Sequence, residues 1–159
     1  MKHLTFAFII IALCSCGCKT AKKEVSSAPL ASSNGSMALT GTHWTLTHLH
    51  CEAIEETPAE PFITFNGNTV SGNLGCNTFF GNFYASPNGK LDFEYTGSTK
   101  KLCQDMNLEY DFISALKSEH LSYTIIGDIL IIKGDVMQNG ETMKNKEILR
   151  FKAVKNTEE

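Results

Sequence analysis

Six cysteines and five histidines are the residues of this 159-residue chain best suited to chemistry. A thiol serves as nucleophile, metal ligand, disulfide partner, lipid attachment point or small buried side chain, and its surroundings decide which. Cys14, Cys16 and Cys18 crowd the N-terminus, whereas Cys51, Cys76 and Cys103 are spread through the remainder. Catalysis by Cys76 needs a histidine base and a group that orients it. His43, His48, His50 and His120 are available, and none stands in a catalytic signature. His48 and His50 share one face of an alternating run and could reach one metal ion, with Cys51, Glu52 or His120 as a third ligand. Two ligands do not make a zinc site, and the solvated end of a strand explains the pair better. No stretch has the spacing of a calcium loop or of a glycine-rich phosphate loop. The expectation is therefore no metal, no cofactor and no catalytic residue.

The chemistry of the N-terminal cysteines depends on what precedes them. Lys2 supplies a charged start, and Leu4–Leu13 is an uncharged apolar run of ten residues. That run is half the ~20 residues needed to span a bilayer but has the length of a signal-peptide core. Leu13-Cys14-Ser15-Cys16 then resembles a bacterial lipobox, in which a small residue precedes the cysteine that takes the diacylglycerol. Acyl chains of palmitate type, each buried methylene adding ~0.8 kcal/mol, anchor such a chain stably. Cys16 is the expected lipidation site, with Cys18, preceded by Gly17, as the alternative. The expected organisation is a signal peptide over residues 1–15 and a lipidated tether over 16–40, rich in Ser, Ala, Gly and Lys. A folded domain over 41–155 and a polar tail over 156–159 complete it. The expected location is the bacterial cell envelope, on the outer membrane, since no Asp follows Cys16.

Within the domain, periodicity predicts mostly strands. Residues 43–50 alternate, with Trp44, Leu46, His48 and His50 on one face. Residues 52–60 read as a loop. Asn66-Gly67, Gly127-Asp128 and Asn139-Gly140 each sit between β-forming runs and predict hairpins. Residues 79–85 and 91–95 read as two more strands around the turn 86–89. From Asp105 the pattern becomes helical, with Leu108, Phe112, Ala115 and Leu116 on one face, Asp105 as cap and Glu109 favoured near the positive helix end. The fold class is α+β: a curved antiparallel β-sheet or open small barrel of about eight strands with one packed helix. Phe79, Phe80, Phe83, Tyr84, Phe93 and Phe112 are expected to fill its core. A net charge of −3 with no basic stripe gives no reason to expect a nucleic-acid partner.

The stretches "VSGNLGCNTFFG", "STKKLC", "LEYDFISAL" and "YTIIGDILII" together resemble the META domain, the HslJ-type heat-shock lipoprotein family. Trp44 matches its first strand. Ser71, Gly72, Gly75, Cys76, Asn77, Phe79 and Gly81 match its glycine-cysteine-asparagine element. Thr99 and Cys103 match its Thr-x-x-x-Cys element, and Glu109 matches a helical glutamate. The likeness covers about residues 43–152. Lys101-Leu102 departs from a methionine usual in the family, Cys51 is extra, and residues 135–146 lengthen the last hairpin. The resemblance implies envelope placement and no established catalysis. It also singles out Cys76 and Cys103 as the domain cysteines at family positions, and in an oxidising compartment they are expected to pair as a disulfide. Cys51 is the rival partner for either, and two buried reduced thiols in contact are the alternative.

The function these readings support is a monomeric, non-enzymatic envelope lipoprotein with a binding or stress-related role. Its partners would be the membrane, through the lipid anchor, and an envelope protein or an apolar ligand held against the open side of the sheet. The competing classes are a thiol-dependent envelope enzyme using Cys76 and an inhibitor of a secreted hydrolase presenting residues 135–146.

Overall fold

Runs of β-branched and aromatic residues separated by short turns pair locally, and here they do so almost without exception. The computed structural model describes residues 37–103 and 106–154, with the backbone alone at Tyr95 and Thr96. The expected signal peptide, Cys16, Cys18, the expected helix cap Asp105 and the expected polar tail lie outside the described residues. Chain order is β1 (His43–Leu49), β2 (Glu52–Ala53), β3 (Phe62–Asn66), β4 (Thr69–Asn73), β5 (Thr78–Ala85) and β6 (Leu91–Ser98). The helix α1 (Asn107–Leu116) follows, then β7 (Ser122–Ile126), β8 (Ile129–Gln138) and β9 (Glu141–Ala153).

The strands form one antiparallel sheet in the order β6-β5-β4-β3-β1-β9-β8-β7, with β2 paired to β1 alone. Its two ends nearly meet. Lys90 bridges to Ser122, the Leu91 N–H donates to the Leu121 carbonyl at 3.0 Å, and the Tyr123 N–H donates to the Gly89 carbonyl at 2.7 Å. The result, among the described residues, is a nearly closed eight-strand barrel with a single helix, as the hairpin pattern implies. Curling the sheet onto itself protects most of the edge hydrogen-bonding groups that an open sheet leaves bare.

The barrel interior is filled by side chains. Trp44, Leu46, Ile63, Phe65, Leu130, Ile132, Leu149 and Phe151 are all buried on inward faces. The helix turns Glu109, Phe112, Ala115 and Leu116 toward this core. Phe112 sits between Phe79 and Phe151, with ring centroids 5.9 and 6.0 Å away. Phe79, Phe112 and Phe151 thus pack against one another in the interior.

Several local expectations need correction. Phe80 and Tyr84 are 55% and 65% exposed, not core: β5 alternates strictly, and both residues fall on its outer face. Phe80 instead lies over Gly97 on the neighbouring strand, 3.4 Å from where a Cβ would be. The shared face of residues 43–50 breaks at a register shift between Leu46 and His48. His50 then leaves the strand at φ 50°. Residues 52–60 are not wholly loop, because Glu52 and Ala53 pair with Leu49 and His48. At the first hairpin Asn66 pairs with Thr69, so the two-residue turn is Gly67-Asn68, and Gly67 alone has positive φ. That is the arrangement with glycine at the first central position. The turn at Asn139-Gly140 has both residues at positive φ, as expected. The folded unit also begins before residue 41. Met37 and Leu39 pack against the core, and the Trp44 indole N–H donates to the Leu39 carbonyl at 3.0 Å.

Candidate functional site

The residues the sequence marks as special converge where β4 ends and β5 begins. Between these strands the chain turns sharply: the Leu74 N–H donates to the Asn77 carbonyl at 2.8 Å. The Gly75 N–H donates to the Asn73 side-chain oxygen at 2.7 Å, which fixes the turn from within. Cys76 protrudes from this corner and forms a disulfide with Cys103, with Cα atoms 6.5 Å apart, inside the range a disulfide spans. A bonded sulfur is no thiolate, so Cys76 in this state offers no nucleophile. Cys51 is not part of that pair; its Sγ lies 3.6 Å from the Glu147 carbonyl oxygen.

Asn77 is the centre of the corner. It is 1% exposed, and every polar atom of its side chain is engaged. Nδ2 donates to Glu109 Oε2 at 2.9 Å and to the Lys101 carbonyl at 3.1 Å. Oδ1 accepts the Thr99 hydroxyl and the Lys101 N–H, both at 2.7 Å. The Asn77 N–H donates to Glu109 Oε2 at 3.3 Å. One amide thus ties the β4–β5 corner, the strand end at Thr99, the Lys101 segment and α1 together. Charge-assisted donors to a carboxylate are the stronger kind of hydrogen bond, and they let Glu109 stay buried.

The remaining family positions have structural duties too. A Cβ at Gly72 would stand 2.0 Å from the Phe62 carbonyl oxygen and 2.7 Å from the Phe79 ring. Only glycine fits there. Ser71 faces Thr64 across the β3–β4 pair, hydroxyl to hydroxyl at 3.2 Å. Gly81 lies at the register shift between β5 and β6. Trp44 is wholly buried.

Sequence reasoning assigned Glu109 to the helix end and missed its contact with Asn77. The signal was present: Glu109 stands three residues before Phe112 and seven before Leu116, on the apolar stripe. An acid on the buried face of a helix requires a polar partner.

The histidines do not gather. The His43 ring stacks on Phe62 with centroids 4.2 Å apart, His48 Nδ1 lies 3.0 Å from the Thr47 hydroxyl, and His120 Nδ1 lies 3.1 Å from Asp135 Oδ2. Among the described residues no group of three or more His, Cys, Asp or Glu side chains is placed to hold a metal ion. A cleft of about 230 Å³ opens beside the disulfide, between Ile54–Pro58 and the start of α1, with Leu74, Leu108 and Glu109 in its wall. A larger pocket, about 540 Å³, lies at the barrel seam. Within β9, Arg150 donates two 2.8 Å hydrogen bonds to the Glu147 carboxylate. That contact holds the guanidinium more firmly protonated than usual, against a smaller opposing effect of burial.

Among the described residues, a nearly closed antiparallel barrel of eight strands, one helix and a disulfide-stapled glycine-cysteine-asparagine corner define a small α+β scaffold by fold alone. Residues 37–152 match the META domain, and the chain belongs to that family. No curated protein sequence matches the chain. Two NMR structures share the fold. One, at 21% identity and a TM-score of 0.54, aligns over 72% of this chain and 90% of its own. The other, from Burkholderia xenovorans, is 19% identical with a TM-score of 0.53 over 86% of this chain and 97% of its own.

Proposed function

We propose that this chain is a lipid-anchored META-domain protein of the bacterial envelope, of the HslJ type, with a non-enzymatic binding role under stress. The observation that carries this reading is how the family motif is used. Cys76 is bonded to Cys103, the Asn77 amide is spent on four partners, Glu109 is spent on Asn77, and Gly72 is a packing position. A motif whose polar atoms are all consumed internally specifies a rigid scaffold and leaves none of them for turnover. The disulfide accords with export to an oxidising compartment. The anchor reading rests on the apolar run and Leu13-Cys14-Ser15-Cys16. A membrane, through acylated Cys16, and another envelope component are the partners this implies.

Intact-mass measurement of the membrane-extracted protein tests the anchor. The expected species begins at Cys16 and carries diacylglyceryl and fatty-acyl mass. A start at Cys18 moves the site by two residues, and a mature chain without acyl mass rejects the anchor. Proximity labelling from the anchored protein then identifies the bound component.

A further inference from the structure

The cleft of about 230 Å³ beside the disulfide adjoins a groove of about 200 Å³. Ile54 and Leu108 line both, so the two depressions share one apolar ridge. Each of these side chains is half-buried and packs against the core. The cleft depends on Gly75, whose φ is +98°. A Cβ there would stand 3.3 Å from Leu108 Cδ2 and 3.7 Å from Thr57 Cγ2. The missing side chain therefore lets α1 and the 54–58 segment both come close to the corner. That segment is pinned at each end. The Ile54 N–H donates to the Thr47 carbonyl at 3.1 Å, and the Thr57 hydroxyl donates to the Ala59 carbonyl at 2.7 Å. The walls are thus set in place without a ligand, which lowers the ordering cost of binding one.

The rim carries charge of one sign. Glu52, Glu55, Glu56 and Asp111 line the two depressions with exposed side chains, and none forms an ion pair among the described residues. Glu109 is also in the wall, but its carboxylate is held by Asn77. No lysine or arginine lines either depression, and the one basic side chain in the walls is the His50 imidazole. An acid near the start of a helix is favoured for its own sake, which accounts for Asp111; Glu52, Glu55 and Glu56 stand on a different segment. Four neighbouring carboxylates repel one another, and a cation relieves that repulsion. Taking the binding role above as its premise, we propose that this surface docks a segment of a partner protein in which an aliphatic side chain is flanked by lysine or arginine. The aliphatic side chain enters between Ile54, Leu74 and Leu108. The flanking cations meet Glu55 and Glu56 on one side of the ridge and Glu52 and Asp111 on the other. An apolar centre within a rim of complementary charge fixes both partner choice and orientation.

The test uses the full chain in nonionic detergent and a fluorescein-labelled pentapeptide of alternating lysine and leucine, read by fluorescence anisotropy. Saturable binding is expected, weakening as salt is raised because exposed charges are screened. Glutamate in place of the lysines, or serine in place of the leucines, is expected to abolish it. Glu55→Gln with Glu56→Gln weakens binding about threefold or more, the scale of two exposed ion pairs. Asp92→Asn with Glu94→Gln, the same loss of charge on the exposed face of β6, leaves it unchanged. All four positions are exposed, and circular dichroism confirms that both variants are folded. No saturable binding overturns the proposal. Equal weakening by the β6 pair does so as well, since the peptide would then follow net charge alone. Undiminished binding of the serine peptide overturns it too, since the apolar ridge would then be unused. A partner found by proximity labelling while the peptide fails to bind rejects this surface and leaves the binding role standing.

Discussion

Asn77 shows how one buried amide can carry a motif. Replacing it by alanine removes the side-chain donor to Glu109, keeps only the backbone N–H of residue 77, and leaves the Lys101 N–H and the Thr99 hydroxyl without their acceptor. A buried carboxylate that loses its side-chain donor and a backbone N–H that loses its acceptor are costly together, so Asn77→Ala is expected to destabilise the domain by ~2–4 kcal/mol in urea unfolding. Glu109→Gln, which keeps the shape and an acceptor, costs less. An Asn77→Ala loss under about 0.5 kcal/mol would show that water replaces the amide freely. Two glycines on strands flanking β5 give a sharper contrast. Gly72→Ala must push aside the Phe62 backbone, whereas at Gly97 the nearest atom to a new Cβ is the Phe80 ring at 3.4 Å. Gly72→Ala should cost ~3 kcal/mol or more, and Gly97→Ala should lie within about 0.5 kcal/mol of the parent. Equal midpoints for both would contradict the close approach at Gly72. At this scale the sequence identified the participants but not their contacts. The asparagine and glycine types pointed to a backbone corner, and a corner is what forms. That the corner is held by a carboxylate 32 residues away depends on where α1 docks, which local pattern does not encode.

At the scale of elements, legibility follows the range of the interactions. The β3–β4, β7–β8 and β8–β9 hairpins were readable because each is closed by its own two-residue turn, and the helix because its apolar side chains recur every three to four residues. The pairing of Glu52 and Ala53 was not readable, since two residues form a strand only when β1 already offers an edge. The exposure of Phe80 and Tyr84 was knowable in principle, because Phe79 and Phe83 alternate with them; aromatic content outweighed period in the sequence reading. The tip of the last hairpin illustrates a segment decoupled from the core. Beyond Gly134 its residues are largely exposed, Met137 at 74%, and Val136 pairs with Met143. Deleting Met137, Gln138, Glu141 and Thr142 would leave Asn139-Gly140 as the turn between Val136 and Met143, on the same register. Thermal unfolding of this shortened chain should fall within about 0.5 kcal/mol of the parent, as expected for surface changes that touch no core contact. A loss of several kcal/mol would mean that the hairpin tip stabilises the barrel.

For the molecule as a whole, the two ends of the sheet are joined unlike any other neighbouring strands. Adjacent strands elsewhere share ladders of up to nine residue pairs, as between β8 and β9. The seam has the Lys90–Ser122 bridge with the flanking Leu91 and Tyr123 hydrogen bonds. Opening there breaks few bonds, although Leu91 itself is fully buried. Farther along the chain from β6, the opening is limited. The Thr99 N–H donates to the Thr78 carbonyl at 3.0 Å, the Lys101 N–H to Asn77, and Cys103 is bonded to Cys76. The disulfide and the Asn77 node therefore hold the end of β6 that the seam does not. Local opening free energies track how many buried contacts and hydrogen bonds must break together. Native-state hydrogen exchange is expected to show Leu91 and Tyr123 exchanging at least about tenfold faster than Leu46, whose N–H donates to the Pro61 carbonyl at 2.8 Å in the barrel wall. Reducing Cys76–Cys103 should extend the fast-exchanging set to Thr99 and Lys101, because the corner then depends on Asn77 alone. Seam amides as slow as Leu46 would show that the barrel opens only by global unfolding. Unchanged Thr99 and Lys101 after reduction would show that the hydrogen bonds, and not the disulfide, hold the corner.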